Sequence, residues 1–138
     1  MRYLALDLGE RRTGVAVGDD RTRLVSAVAV LESPRGEALL AALRRTIEEY
    51  GPDAIVLGLP INMDEREGGA AASVRAFGET LRTRFGLDVL YQDERLTSFA
   101  ADQAMARSGR THGQKRSIRD ALAAKEILED YLRGSADR

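Results

Sequence analysis

The stretch Tyr3–Leu8, YLALDL, is apolar at five of its six positions. It is too short for a buried helix and lacks the alternation of a half-exposed strand, so it reads as a strand covered on both faces. A second run of the same kind, Ala54–Pro60 (AIVLGLP), follows a segment of helical periodicity. Two such runs joined through a helix predict neighbouring parallel strands in a sheet with helices on both faces. The exception in the first run is Asp7. An ionised carboxylate in such a strand costs several kcal/mol unless it is paired, hydrogen-bonded or bound to a metal.

The rest of the chain fills in around these two strands. Thr13–Gly18 and Leu24–Leu31 are further strand candidates. Their links are of hairpin length, which predicts an antiparallel meander of the first three strands. Ser33 and Pro34 resemble a helix start, and Leu39, Leu40, Leu43, Ile47 and Tyr50 follow at helical spacing until Gly51-Pro52. After the polar loop INMDEREGG, a helix is expected over Ala70–Phe85, with Val74, Phe77 and Leu81 on one face. Leu87–Tyr91 gives a fifth strand, Thr97 or Ser98 caps a helix through Ala106, and a basic loop leads to a last helix over Ser117–Leu132. The order β-β-β-α-β-α-β-α-α implies an α/β fold with a five-stranded mixed sheet. A length of 138 residues with 43% hydrophobic residues suits one domain, with 134–138 expected to fray.

Composition excludes several chemistries. The chain has no cysteine and a single histidine, His112, so disulfides, thiolate sites, a cysteine nucleophile and a multi-histidine metal cage are ruled out. No run of eighteen apolar residues marks a membrane span and no signal peptide is evident, so a cytoplasmic protein without membrane association is expected. The net charge of -1 argues against indiscriminate coating of nucleic acid. Positive charge is concentrated in MARSGRTHGQKRSIR, which holds Arg107, Arg110, Lys115, Arg116 and Arg119 and no Asp or Glu; the alternative is a solvated loop.

Three acids stand where an acid is unexpected or where a strand ends. Asp7 lies late in the first strand, Glu94 just past the fifth, and Asp120 in the expected first turn of the last helix, beside Ala121, Ala123 and Ala124. Ligands in an open α/β sheet collect at the carboxyl ends of parallel strands, where these residues could meet. Converging carboxylates repel unless a cation joins them, and oxygen donors suit Mg²⁺ or Mn²⁺. A pair of such ions about 4 Å apart would support phosphodiester hydrolysis without histidine or cysteine. Each acid also has a structural alternative. Asp7 could bond the glycine turn, Glu94 could pair with Arg95, and Asp120 could be a first-turn acid favoured by the helix dipole. Asp93 competes with Glu94, since strand alternation puts only one of the two on a given face.

LALDLGERRTGVAVGD, IVLGLP with Asn62, DERLTS and DALAAKEILEDYL resemble, in order, four sequence blocks of the YqgF family of Holliday junction resolvases and pre-16S rRNA nucleases. The resemblance spans nearly the whole chain. It implies a ribonuclease H-like fold and metal-dependent endonuclease activity on structured nucleic acid, in DNA recombination and repair or in ribosome biogenesis. It also implies a metal-binding triad of Asp7, Glu94 and Asp120, with Glu94 rather than Asp93 as ligand, and places Arg12 and Arg95 at the scissile phosphate. Planar guanidinium donors suit that role. Arg107, Arg110, Lys115, Arg116 and Arg119 are the expected contacts to the nucleic-acid backbone. A junction resolvase would act as a homodimer to make paired cuts, whereas an RNA-trimming enzyme need not. Two positions depart from the family pattern. NMDEREG has Glu65 and Arg66 after its Asp, where a glycine usually follows directly, and Arg119 replaces an apolar residue before Asp120.

Two rival readings follow from the same residues. Asp7, Gly9 and Gly14 also resemble the phosphate loop of actin-like ATPases and sugar kinases, which normally use two such domains. Alternatively the chain is a non-catalytic nucleic-acid-binding module, although all three acids are present.

Overall fold

A computed structural model describes residues 1–60, 68–93 and 112–136. Its strands are β1 (Arg2–Leu8), β2 (Thr13–Asp19), β3 (Val25–Leu31), β4 (Ala54–Leu59) and β5 (Asp88–Asp93). The helices are α1 (Glu37–Tyr50), α2 (Gly69–Phe85) and α3 (His112–Ala136). The strands lie in the order β3-β2-β1-β4-β5. As the sequence predicts, β1, β2 and β3 form an antiparallel meander, and β4 and β5 join in parallel on the other side of β1.

The two faces of the sheet are built from different residues. Leu4, Leu6 and Leu8 of β1, Val15 of β2 and Ile55, Leu57 and Leu59 of β4 pack against Leu39 and Leu43 of α1 and Val74, Phe77 and Leu81 of α2. On the opposite face Tyr3, Ala5, Ala16, Ala54 and Val56 pack against Ala124, Ile127, Leu128 and Leu132 of α3. Removing a large aliphatic side chain from water contributes about 1.5–3 kcal/mol, so the first face carries more of the hydrophobic driving force. The second has small side chains where α3 crosses β1 and β2, and that determines how closely a helix can approach.

Two helix starts differ from expectation. α1 begins at Glu37, capped by Gly36 at φ 143°, rather than at Ser33. The apolar stripe starts only at Leu39, so an earlier turn would have nothing to pack on the sheet, and glycine supplies the positive φ that redirects the chain. α3 begins at His112, so Lys115 and Arg116 lie in a helix and not in a basic loop. Tertiary packing of a long stripe carries that helix through residues of modest propensity. At its other end α3 continues to Ala136, into the segment expected to fray. The helix expected to start at Thr97 or Ser98 lies outside the described residues.

Candidate active site at the carboxyl end of β1

Alternation along β1 puts Asp7 on the face of Tyr3 and Ala5, towards α3. Its partner across the antiparallel ladder is Gly14. A Cβ at Gly14 would stand 1.8 Å from the main-chain oxygen of Asp120, so α3 rests directly on the β2 backbone. The same face of β2 continues with Ala16 and Gly18, and a Cβ at Gly18 would meet Leu128 at 2.9 Å. Glycine is required at position 14 for this close approach.

Asp120 reaches this point because it extends the buried stripe of α3. It precedes Ala123, Ala124, Ile127 and Leu128 by three, four, seven and eight residues, all on one helical face. Asp120 is the ninth residue of α3, counting from His112, and not a first-turn acid. The helix-dipole reading therefore fails, since that effect fades within the first turn. Asp7 and Asp120 come to the same face at the same strand end through the position that separates them, Gly14.

The turn between β1 and β2 delivers a third group. Gly9 donates its N–H to the carbonyl of Arg12 at 2.8 Å, and a Cβ at Gly9 would stand 2.6 Å from that oxygen. The tight turn holds Arg12 beside the strand end, where its Nε donates to Asp120 Oδ2 at 2.7 Å. Both side chains are partly shielded, at 30% and 23% exposure, so this charge-assisted bond is less screened than a surface pair. The partner of Arg12 in this structure is a carboxylate.

Alternation along β5 puts Asp93 on the face of Val89 and Tyr91, which pack with the α1 and α2 side. Leu90 packs on the α3 side. Asp93 therefore lies on the face opposite Asp7. Glu94, Arg95, Arg107 and Arg110 lie outside the described residues. Lys115 and Arg116 lie on the first turns of α3, and Arg119, next to Asp120, is exposed. Among the described residues no three Asp, Glu or His side chains converge to hold a metal ion. Asp7 and Asp120 supply oxygen donors on one face, and Asp120 already holds a cationic group, the Arg12 guanidinium. This donor set fits Mg²⁺ or Mn²⁺.

The sequence reading missed Arg35. It lines a cleft on the other side of the same strand end, with Leu8, Gly9, Glu10, Ala70 and Ser73. An arginine between Pro34 and Gly36 carries no local signal that separates it from a solvated loop cation.

A family model described as RuvX, Holliday junction resolvase, matches residues 1–134. The chain belongs to the RuvX family. One RuvX relative, "Putative pre-16S rRNA nuclease" from Anaeromyxobacter sp. (strain Fw109-5), is 40% identical over 134 residues, covering 97% of this chain and 98% of its own. Among solved structures, the fowlpox virus resolvase in complex with substrate Holliday junction DNA aligns with a TM-score of 0.62 at 12% identity, covering 98% of this chain and 99% of its own. Thermus thermophilus RuvC in complex with Holliday junction substrate aligns at 0.59 and 16% identity, over 97% and 96%. These likenesses show a ribonuclease H-like fold. With a RuvX match over nearly the whole chain, the kinase-like rival and the inert binding module are not favoured. No helix among the described residues is long and apolar enough to cross a membrane.

Proposed function

We propose that this chain is a divalent-metal-dependent endonuclease that hydrolyses phosphodiester bonds in structured nucleic acid, either Holliday junction DNA or the 5′ end of pre-16S rRNA. The observation that carries this reading is the seating of Asp120 on Gly14, the ladder partner of Asp7. That contact delivers two carboxylates from distant parts of the chain to the carboxyl end of a central strand, where α/β folds bind ligands.

Asp7, Asp120 and Glu94 would hold Mg²⁺ or Mn²⁺, which when bound supplies a low-pKa water and charge stabilisation for the leaving oxygen. The protein's own groups do the positioning. Arg12 orients the Asp120 carboxylate through Nε and, with Arg95, offers guanidinium donors to the scissile phosphate. Arg107, Arg110, Lys115, Arg116 and Arg119 bind backbone phosphates, contacts that give affinity without reading sequence and weaken as salt rises. Paired incisions in a junction would call for a homodimer, single-site trimming of RNA would not.

The test is cleavage of a synthetic four-way junction, duplex DNA and a ribosomal RNA precursor with Mg²⁺ or Mn²⁺, against Asp7→Asn. Products that need the metal and vanish in Asp7→Asn are expected on at least one structured substrate. No metal-dependent product on any of the three defeats the proposal, and the preferred substrate decides between junction and RNA.

A further inference from the structure

Among the arginines whose burial is described only Arg12 and Arg35 are not exposed, and both lie at the carboxyl end of β1, on opposite faces of the sheet. Arg12 has an anion, Asp120. Arg35 has none among the described residues. Its Nη1 donates to Ser73 Oγ, its Nη2 makes a long 3.4 Å contact to the Leu8 carbonyl, and its buried Nε has no partner. The one other buried side-chain polar atom without a partner among the described residues, Thr13 Oγ1, belongs to the ladder partner of Leu8. A partly buried guanidinium held only by neutral acceptors bears a desolvation cost that an anionic partner would offset.

The surroundings favour an anion that arrives from outside. Arg35 lines an open cleft of about 670 Å³ with Leu8 and Gly9, the two residues that follow Asp7, and with Ala70 and Ser73 of the first turns of α2. α2 has Gly68 as its N-cap, with no side-chain cap bond and no acid in its first turn, so its N-terminal end adds positive potential to the same space. Among the described residues Glu10 is the acidic residue at the rim, and it is exposed.

We propose that Arg35 is a positioning residue that binds a backbone phosphate of the nucleic-acid substrate, neighbouring the phosphate at Asp7, in the cleft between the β1–β2 turn and α2. This inference rests on the nuclease reading and extends it. A strand laid across the carboxyl edge of the sheet places one phosphate on the α3 face and the next over Arg35. The phosphodiester is common to DNA and RNA, so the cleft fixes the path of the strand without choosing between them.

The experiment measures equilibrium binding of the Asp7→Asn chain to a four-way junction, duplex DNA and a ribosomal RNA precursor by fluorescence anisotropy across a salt series. Arg35→Gln in that background is expected to weaken binding about tenfold and to lower the salt slope by about 0.9, the mark of one lost phosphate contact. Arg35→Lys, which keeps the charge but not the fork, recovers part of the affinity and the whole slope. Ala70→Asp guards against a folding artefact. Ala70 is exposed in the first turn of α2, where a carboxylate suits the helix, yet there it competes with phosphate for Arg35. It should weaken binding with no loss of thermal midpoint, and in the chain with Asp7 intact both variants should raise KM more than they lower kcat. Parent-like affinity and slope in both Arg35→Gln and Ala70→Asp overturn the inference and leave the nuclease reading standing. If the Asp7→Asn chain binds none of the three nucleic acids, the nuclease reading and this inference fall together.

Discussion

The two faces of the sheet solve different problems at the same strand end. Towards α1 and α2 the sheet presents Leu4, Leu6, Leu8, Ile55, Leu57 and Leu59, side chains that keep the helices at an ordinary packing distance and leave the Arg35 cleft beside them. Towards α3 it presents Ala5, Gly14, Ala16 and Gly18 where the helix crosses β1 and β2, and the helix backbone touches the strand. One face obtains stability from bulk. The other gives up bulk so that a main chain can approach, and with the main chain comes Asp120. A site built from short carboxylates needs its supporting backbones close together, because Asp has little reach of its own.

That contrast can be broken at several points. The largest expected effect is on chemistry. Asp7→Asn should lower cleavage about a thousandfold or more, corresponding to about 4 kcal/mol of lost transition-state stabilisation, while nucleic-acid binding persists. Single-turnover kinetics beside anisotropy check both halves of that statement, and cleavage at the parent rate would remove Asp7 from the site. Next comes the contact face. Gly14→Ala should cost about 3 kcal/mol in denaturant unfolding, the upper end for overpacking, because the added methyl meets the main chain of Asp120 and Ala121 and cannot rotate away.

The third effect separates a metal site from a plain ion pair. Mn²⁺ at about a hundredfold over its Kd should stabilise the protein by about 2.7 kcal/mol in thermal unfolding. That gain should shrink in Asp120→Asn. An equal gain in Asp120→Asn would mean that the ion binds elsewhere. The smallest effect lies on the bulky face. Ile55→Val should cost about 1 kcal/mol with cleavage and binding unchanged, since the cavity it leaves lies on the side away from Asp7 and Asp120. A matching loss of activity there would show that the two faces are not independent.

Much of this was legible in the sequence because it depends on local pattern. The all-apolar runs at Tyr3–Leu8 and Ala54–Pro60 mark the buried strands, and Asp7 is conspicuous because it interrupts one of them. Asp120 could be singled out beside Ala123 and Ala124, but its depth along α3 could not. The residues from His112 to Arg116 include Gly113 and adjacent cations, which read locally as a loop, and they are helical in the folded protein. Gly14 was noticed for the wrong reason. The need for a glycine there comes from a helix more than a hundred residues away, and no window of neighbouring residues contains that information. Arg35 escaped for the same reason. What distinguishes it is that its described hydrogen-bond partners, Ser73 and the Leu8 carbonyl, are neutral, and a count of nearby charges does not reveal that. The face that Asp93 takes depends on strand phase, which the packing of Val89 and Tyr91 supplies.

The seating of α3 on Gly14 also limits how this protein can change. At most core positions a larger side chain can be accommodated if a neighbour shrinks, so volume is exchanged within a layer. Between two main chains there is no neighbour to shrink. The distance from helix to sheet and the distance from Asp120 to Asp7 are set by one coordinate, so attempts to raise heat resistance by filling this face would pull the two carboxylates apart. Stabilising substitutions should therefore be sought among the residues facing α1 and α2, where thickness is unconstrained by the carboxylates.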